Sequence, residues 1–202
     1  MKSLPGDRRV FDVSLVAGHR DRWGDASDFP AGFVRKLHGA AFAVKREVPA
    51  LWLTPAGRQH FTLRAVYRDR RPDFARKVPL VVRQKRYAEV LSLLRAAKER
   101  HVVWQGYRLN VAGILMLEGR AVGNWLTTLR REIDRRCDQP ALFPPSGYCH
   151  IVLARPLRSL RESERRWIQR WIGAQTPFRP IRMRITRLRL LVTRNHFGTL
   201  YA

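Results

Sequence analysis

Two short runs, each headed by a histidine, decide how this chain is expected to fold. They are Gln59-His60-Phe61-Thr62-Leu63-Arg64 and Cys149-His150-Ile151-Val152-Leu153-Ala154-Arg155. Both runs are rich in residues that favour strands, and successive side chains of a strand point to opposite faces. His60 and Thr62 therefore share one face. Two such strands facing one another would arrange a general base, a general acid and a hydroxyl donor around a single phosphate.

The segments around these runs alternate between strand and helix patterns. Helices are predicted over 30–46, 87–100, 125–136 and 160–172. Strands are predicted over 9–16, 60–68 and 149–155, with a long strand or a hairpin over 101–119. Near the C-terminus the apolar residues change phase between Ile185 and Leu188, which predicts a β-bulge. This order of elements predicts the α+β class, with helices on one side of the sheet.

The chain is strongly basic. Among its 202 residues, 40 Lys and Arg stand against 16 Asp and Glu, for a formal net charge of +24, and 34 of the 40 cations are arginine. The guanidinium group matches phosphate oxygens and stacks on bases better than an ammonium group does. A GC-rich genome would favour arginine over lysine, but it would not leave this charge uncompensated. RNA is therefore the predicted partner.

The sequence predicts no metal site and no cofactor. Cys137 and Cys149 form no Cys-x-x-Cys pair and have no histidine at zinc spacing, so both are expected to be reduced thiols. No apolar run reaches about 18 residues, and the first ten residues lack the core of a signal peptide. No membrane partner is expected, and the predicted location is the cytoplasm.

The motifs also follow one another in a particular order. They are Arg9-Val10-Phe11, Val48-Pro49, the run at His60, Phe143-Pro144-Pro145, the run at His150, and Tyr201 near the end. This layout resembles the 2H phosphoesterase superfamily, in particular its RNA 2′,3′-cyclic phosphodiesterase and 2′-5′ RNA ligase branch. The resemblance implies one domain, 1–202, of two pseudo-symmetric ferredoxin-like lobes whose antiparallel sheets line a shared basic cleft. The lobes would come from about 1–100 and 101–202, with exchange of terminal strands.

The resemblance also implies a mechanism that uses no metal. One of His60 and His150 would deprotonate the attacking water or 2′-hydroxyl, and the other would protonate the leaving oxygen. Thr62 would hold the phosphate. The sequence departs from the family pattern at Val152, where Thr or Ser is expected, because valine cannot donate a hydrogen bond. The loss of one such donor costs about 2–4 kcal/mol of transition-state stabilisation, so an inactive RNA-binding protein on the same fold is an alternative.

Further residues are candidates for RNA contacts. They are Arg64, Arg68, Arg70, Arg71, Tyr148, Arg155, Arg158, Arg161 and Arg165. Arg64 shares the predicted face of His60 and is a candidate phosphate clamp, whereas Tyr148 shares the face of His150 and could stack on a base. Strict alternation puts Arg155 on the face opposite to His150 unless a bulge intervenes. These contacts would supply affinity rather than sequence recognition.

A histidine after the first strand supports a different hypothesis. Residues 33–40 contain His38 and look similar to the histidine-bearing helix of the CRISPR-associated repeat endoribonucleases of the RAMP type. By that resemblance, His38 would be the base for 2′-hydroxyl attack and arginines would hold a crRNA stem. The chain would then be an RNA-binding subunit of a ribonucleoprotein complex. The glycine-rich loop that is typical of that group near the C-terminus is not found in the sequence.

Overall fold

The computed structural model describes residues 11–17, 29–69, 100–137, 144–185, 189–194 and 199–201, with side chains described over 29–64, 100–135 and 144–185. The described helices are α1 (Ala31–Glu47), α2 (Trp125–Cys137) and α3 (Glu162–Ala174), with a short 3-10 turn at Ala56–Arg58. The described strands are β1 (Phe11–Ala17), β2 (Leu51–Leu53), β3 (Phe61–Asp69), β4 (His101–Leu109), β5 (Leu115–Ala121), β6 (Tyr148–Pro156), β7 (Ile181–Arg184), β8 (Arg189–Arg194) and β9 (Thr199–Tyr201). No helix in these ranges has the length and apolar character needed to span a bilayer.

The described strands form one antiparallel sheet. Their order is β7-β4-β5-β6-β3-β1-β8-β9, and β2 pairs with the far end of β6. The α+β class is therefore confirmed. The two strands with the histidine runs are neighbours at the centre, but β3 and β6 share only the pair Phe61 and Ile151. The C-terminal strands β8 and β9 join β1 rather than β7, and the arrangement as two ferredoxin-like lobes stays a prediction.

Strand alternation assigns the two faces of this sheet. Phe61, Leu63, Ile151 and Leu153 are all buried and belong to the hydrophobic core. The residues that alternate with them along the two strands are half-buried and point to the opposite face. They are His60, Thr62, His150 and Val152. The sheet therefore has a core face, covered by helices, and an opposite face that carries both histidines. We call the latter the histidine face.

The helices supply the other layer of the core. In α1, five residues at helical spacing are buried: Phe33, Val34, Leu37, Ala41 and Val44. The indole ring of Trp104 is fully buried, and it meets the rings of Phe29 and Phe61 in edge-to-face geometry, with centroids 6.4 Å and 5.9 Å away. Such pairs add to the stabilisation that burial alone provides. This aromatic cluster holds the side chain of Phe61, the first residue of β3, on the core face of the sheet.

Two features near the ends of the sheet differ from, or are more specific than, what the sequence predicts. The two phases of the apolar pattern belong to two strands rather than to one bulged strand, because β7, which ends at Arg184, and β8, which begins at Arg189, lie in opposite halves of the sheet, and residues 186–188 between them lie outside the described residues. The segment 101–119 is a hairpin whose turn begins after Leu109, with Gly113 at a φ of 77°. The helices predicted over 30–46, 125–136 and 160–172 are confirmed as α1, α2 and α3, and the one predicted over 87–100 lies outside the described residues.

Candidate active site

The two histidines lie next to each other across the central strand pair. Phe61 is directly opposite Ile151, so antiparallel counting sets His60 opposite Val152 and His150 opposite Thr62. His60 and His150 are then diagonal neighbours on one face, a relation in which the Cα atoms are about 7–8 Å apart. The charge of His60 also contributes to lowering the pKa of His150. The structure therefore brings together the pair of histidines that the sequence singled out, together with Thr62 and Val152.

One hydrogen bond orients the imidazole of His60. Its Nδ1 lies 2.8 Å from the backbone oxygen of Arg58, in the 3-10 turn that precedes β3. A carbonyl oxygen only accepts, so Nδ1 carries the hydrogen of the neutral ring, and Nε2 keeps the lone pair. Burial lowers the pKa of His60 below its usual 6.5, this hydrogen bond opposes the shift, and the charge of Arg155 adds to it. Near neutral pH, His60 is therefore suited to accept a proton at Nε2.

His150 has different surroundings. Glu118 of β5 is its direct cross-strand partner, and the carboxylate oxygen Oε1 accepts hydrogen bonds from the Tyr148 hydroxyl at 2.6 Å and from Arg108 Nη1 at 3.0 Å. Burial is the largest cause of a lowered pKa at His150, and the charges of Arg130 and Arg155 lower it further. Glu118 acts in the opposite direction and raises this pKa. The protonated form of His150 thus has a fixed carboxylate beside it.

Tyr148 lies on the histidine face, as the sequence predicted. Its ring centroid is 5.7 Å from that of the His150 imidazole, at an interplanar angle of 35°. The phenol is half-buried, and burial together with the hydrogen bond to Glu118 raises its pKa. Stacking of Tyr148 on a base stays a prediction, but its contacts already give it a second role, since it orients the carboxylate that faces His150.

A residue that the sequence did not single out joins the two histidine strands. Arg130 of α2 is 9% exposed. Its guanidinium donates hydrogen bonds to four backbone oxygens, those of Leu63 at 2.6 Å, Ser146 at 2.6 Å, Tyr148 at 2.7 Å and Thr62 at 3.4 Å. These oxygens belong to β3 and to the segment that leads into β6, on the side where the two strands form no further pair with each other. Arg130 therefore holds the strands of His60 and His150 at a fixed separation.

The pattern of α2 contained a signal for this arginine. Arg130 follows the buried Leu126 by four residues and precedes the buried Ile133 by three. A cation at that spacing lies on the apolar stripe of the helix rather than on its outer face. Because charged side chains are seldom buried without partners, such an arginine indicates a polar target inside the protein.

Arg155 lies on the histidine face because β6 contains a bulge. Leu115 of β5 pairs with Ala154, whereas the next residue, Met116, pairs with Val152, which leaves Leu153 without a partner on β5. Leu153 and Ala154 are both buried, and the half-buried Arg155 returns to the side of His150. Its charge lowers the pKa of both histidines. The bulge that would return Arg155 to the face of His150 is therefore present, so strict alternation does not hold at this position.

The other predicted RNA contacts lie in varied surroundings. Arg64 forms a two-pronged ion pair with Asp134 of α2, with Nε–Oδ1 and Nη2–Oδ2 distances of 2.7 Å. A phosphate would have to compete with this carboxylate for the guanidinium. The backbone of Arg68 belongs to β3 and its side chain is not described, whereas Arg70 and Arg71 lie outside the described residues.

Three further candidates are associated with α3, away from the histidine pair. Arg158 makes a two-pronged ion pair with Glu164, Arg161 caps the start of the helix, and Arg165 donates a hydrogen bond to the backbone oxygen of Val111. The buried side of α3 packs on the core face through Ile168 and Trp171. RNA binding at these three arginines stays a prediction, and it would involve a surface other than the histidine face.

His38 lies on α1, which also packs on the core face. Its Nδ1 is buried and has no hydrogen-bond partner among the described residues. The sheet separates this imidazole from the face of His60 and His150. The structure gives no support to the endoribonuclease hypothesis in which His38 is the catalytic base.

We expect Arg130→Met to lower the free energy of unfolding by about 2–4 kcal/mol, because four backbone oxygens lose a buried, charged donor. Urea denaturation measures this change. Arg131→Met is the matched control, since Arg131 is the exposed neighbour on the same helix, and its effect should stay within about 0.5 kcal/mol. Equal losses in the two variants would contradict the structural role of Arg130.

Comparison with known proteins gives little sequence similarity to build on. No protein-family model matches the chain, and no curated protein matches its sequence. Among solved structures, the chain is similar to Kluyveromyces marxianus Usb1 with uridine monophosphate. The TM-score is 0.48 at 10% identity, and the alignment covers 94% of this chain and 95% of that chain. A likeness at this level assigns neither a fold family nor a residue role to the chain.

Proposed function

We propose that this chain is an RNA phosphodiesterase of the 2H type, which acts on 2′,3′-cyclic phosphates or 2′-5′ linkages through His60 and His150. The observation that carries the proposal is the diagonal pairing of two half-buried imidazoles on one face of the sheet. Two imidazoles at that separation can act on opposite sides of one phosphate, one as base and one as acid. The excess of 40 cations over 16 anions in the chain favours RNA as the carrier of that phosphate.

The reaction is an in-line displacement at phosphorus. A water molecule attacks, Nε2 of His60 takes its proton, and a new P–O bond forms as the bond to one ribose oxygen breaks. His150 gives its proton to that leaving oxygen, so the product carries a phosphomonoester and a free hydroxyl. His60 ends protonated and His150 neutral, and exchange with solvent restores both.

The surroundings of the two rings favour this assignment of roles. Nδ1 of His60 donates its hydrogen to the backbone oxygen of Arg58, so in the neutral ring Nε2 is the nitrogen that takes up a proton. His150 has the carboxylate of Glu118 as its cross-strand partner, which stabilises the imidazolium that an acid must be. The carboxylate of Glu118 raises the pKa of His150, whereas the charge of Arg155 lowers the pKa of both rings and does not distinguish them.

Arg155 and Thr62 are the proposed contacts of the non-bridging phosphate oxygens. Arg155 carries a positive charge that acts on both imidazoles, and Thr62 has a hydroxyl on the face of His60. Charge that develops on the phosphate oxygens is stabilised by such fixed donors. Val152 occupies the position opposite His60 and offers no donor, so we expect a slower reaction than a site with two hydroxyls would give.

We expect His60→Gln and His150→Gln each to slow hydrolysis of an oligouridylate ending in a 2′,3′-cyclic phosphate by about 100-fold or more, because each removes a proton-transfer group. His38→Gln serves as the control and should leave the rate unchanged. Circular dichroism checks that every variant is folded. If the parent and all three variants hydrolyse the substrate equally, or if none of them does, the catalytic proposal is wrong and an inactive RNA-binding protein remains.

The dependence of kcat/KM on pH tests the assignment of His150 as the acid. Its alkaline limb follows deprotonation of His150 in the free enzyme, and because burial, Arg130 and Arg155 lower the pKa of this residue, the limb should lie below pH 6.5. Glu118→Gln removes a charge that raises this pKa, so the limb should move to lower pH. Glu162→Gln, at an exposed position of α3, should not move it. A limb that stays in place or rises in Glu118→Gln would assign the acid to another group.

A further inference from the structure

The histidine face extends from β6 to β7 in strict register. Tyr148 pairs with Arg120 of β5, Arg120 pairs with Val103 of β4, and Val103 pairs with Arg182 of β7. Directly opposed residues of antiparallel strands point to the same face. Arg120 and Arg182 therefore share the face of Tyr148 and His150. Arg184, two residues beyond Arg182 on β7, lies on that face as well.

These three arginines have no carboxylate to pair with in the described part of the chain. Arg120, Arg182 and Arg184 are exposed. Within strands β4, β5, β6 and β7, the one carboxylate is Glu118, and its Oε1 already accepts hydrogen bonds from Tyr148 and Arg108. We call Arg120, Arg182 and Arg184 the arginine row.

Repulsion within this region is visible at the far end of the row. Burial and the charge of Arg184 both lower the pKa of Arg100. Cations that lie together without a counter-charge destabilise the protein through mutual repulsion, and an anionic partner removes this cost when it binds.

A cavity lies at the outer edge of β7, between this edge strand and α1. It has a volume of about 560 Å³ and is lined by Phe33 and Lys36 of α1 together with Arg182 and Arg184. The ammonium group of Lys36 lies 5.8 Å from the ring centroid of Phe178. A cavity that combines cations with an apolar wall can hold a nucleotide, with its phosphate on the cations and its base on the apolar wall.

We propose that the arginine row is a docking surface for the single-stranded RNA segment that adjoins the reacting phosphate. This inference rests on the proposed function and adds the substrate class, which is a single strand of several nucleotides rather than a mononucleotide. From Tyr148 on β6 to Arg182 on β7 the face spans three strand-to-strand steps of about 4.8 Å each, about 14 Å in all, and the row itself takes up two of these steps. Four-stranded sheet faces of this width accept two or three bases of single-stranded RNA, and guanidinium planes can stack on such bases.

Arg120→Ala combined with Arg182→Ala tests this surface, with Arg166→Ala combined with Arg170→Ala as the control. Both variants remove two exposed arginines, and the second pair lies on α3. The probe is a fluorescein-labelled octauridylate ending in a 3′-phosphate, measured by fluorescence anisotropy in the full chain. At about 50 mM salt we expect the row variant to bind about 10-fold more weakly, with a salt slope smaller by about 1.4 because two phosphate contacts are lost. The control should change affinity less than about twofold.

Several outcomes would overturn the inference. Equal losses of affinity in the two double variants, or no loss in either, would contradict the role of the arginine row. An equal loss of affinity for a diuridylate and for the octauridylate would contradict a substrate of several nucleotides. Tighter binding of a blunt RNA duplex than of the single strand would contradict a single-stranded substrate. Arg184→Ala provides a further variant in case the double substitution unfolds the protein. This result is independent of the proposed function. If the parent chain hydrolyses no cyclic phosphate but the row variant binds octauridylate more weakly than the parent, the docking surface stands and the proposed enzymatic activity is wrong.

Discussion

The buried guanidinium of Arg130 is the interaction on which the rest of the site depends. β3 and β6 share one residue pair and then separate, so the backbone oxygens beside the gap receive no ladder hydrogen bond from the facing strand. Arg130 donates to oxygens on both sides of that gap. A lysine could not reach four oxygens in this geometry, since its ammonium group has three donors at a single point. The separation of His60 and His150 is thus set by a side chain that belongs to neither of their strands.

The second constraint is electrostatic. Burial and surrounding arginines hold the pKa of both imidazoles below the usual value, so the unliganded site keeps them largely neutral at pH 7. An arriving phosphate would offset the charges of Arg130 and Arg155 and favour a proton on one ring. Glu118, fixed by Tyr148 and Arg108, gives that proton a preferred place at His150. The asymmetry between two similar strand motifs therefore comes from their neighbours on β5 and in the 3-10 turn, rather than from the motifs themselves.

Alternation along single strands could be predicted from the sequence, whereas features that need a second strand could not. The common face of His60 and Thr62 followed from parity alone, whereas the placement of His150 on the same face needs the β3–β6 pair. The face of Arg155 did not follow from parity, because the bulge at Leu153 is defined by pairing with β5, forty residues away in the chain. The partner of Arg64 is Asp134 on a remote helix, and no local pattern indicates that ion pair. The phase change after Ile185 was visible, but only the sheet order distinguishes a bulge from a crossing to the opposite half.

A two-histidine site requires that the imidazoles of His60 and His150 share one electrostatic environment. NMR titration of His150 in the parent and in His60→Gln tests it without any assumption about the substrate. The charge of His60 lowers the pKa of His150 in the parent, so we expect this pKa to rise when His60 becomes neutral glutamine. A pKa of His150 that is identical in the two proteins would mean that the rings do not interact, and it would contradict the two-histidine site.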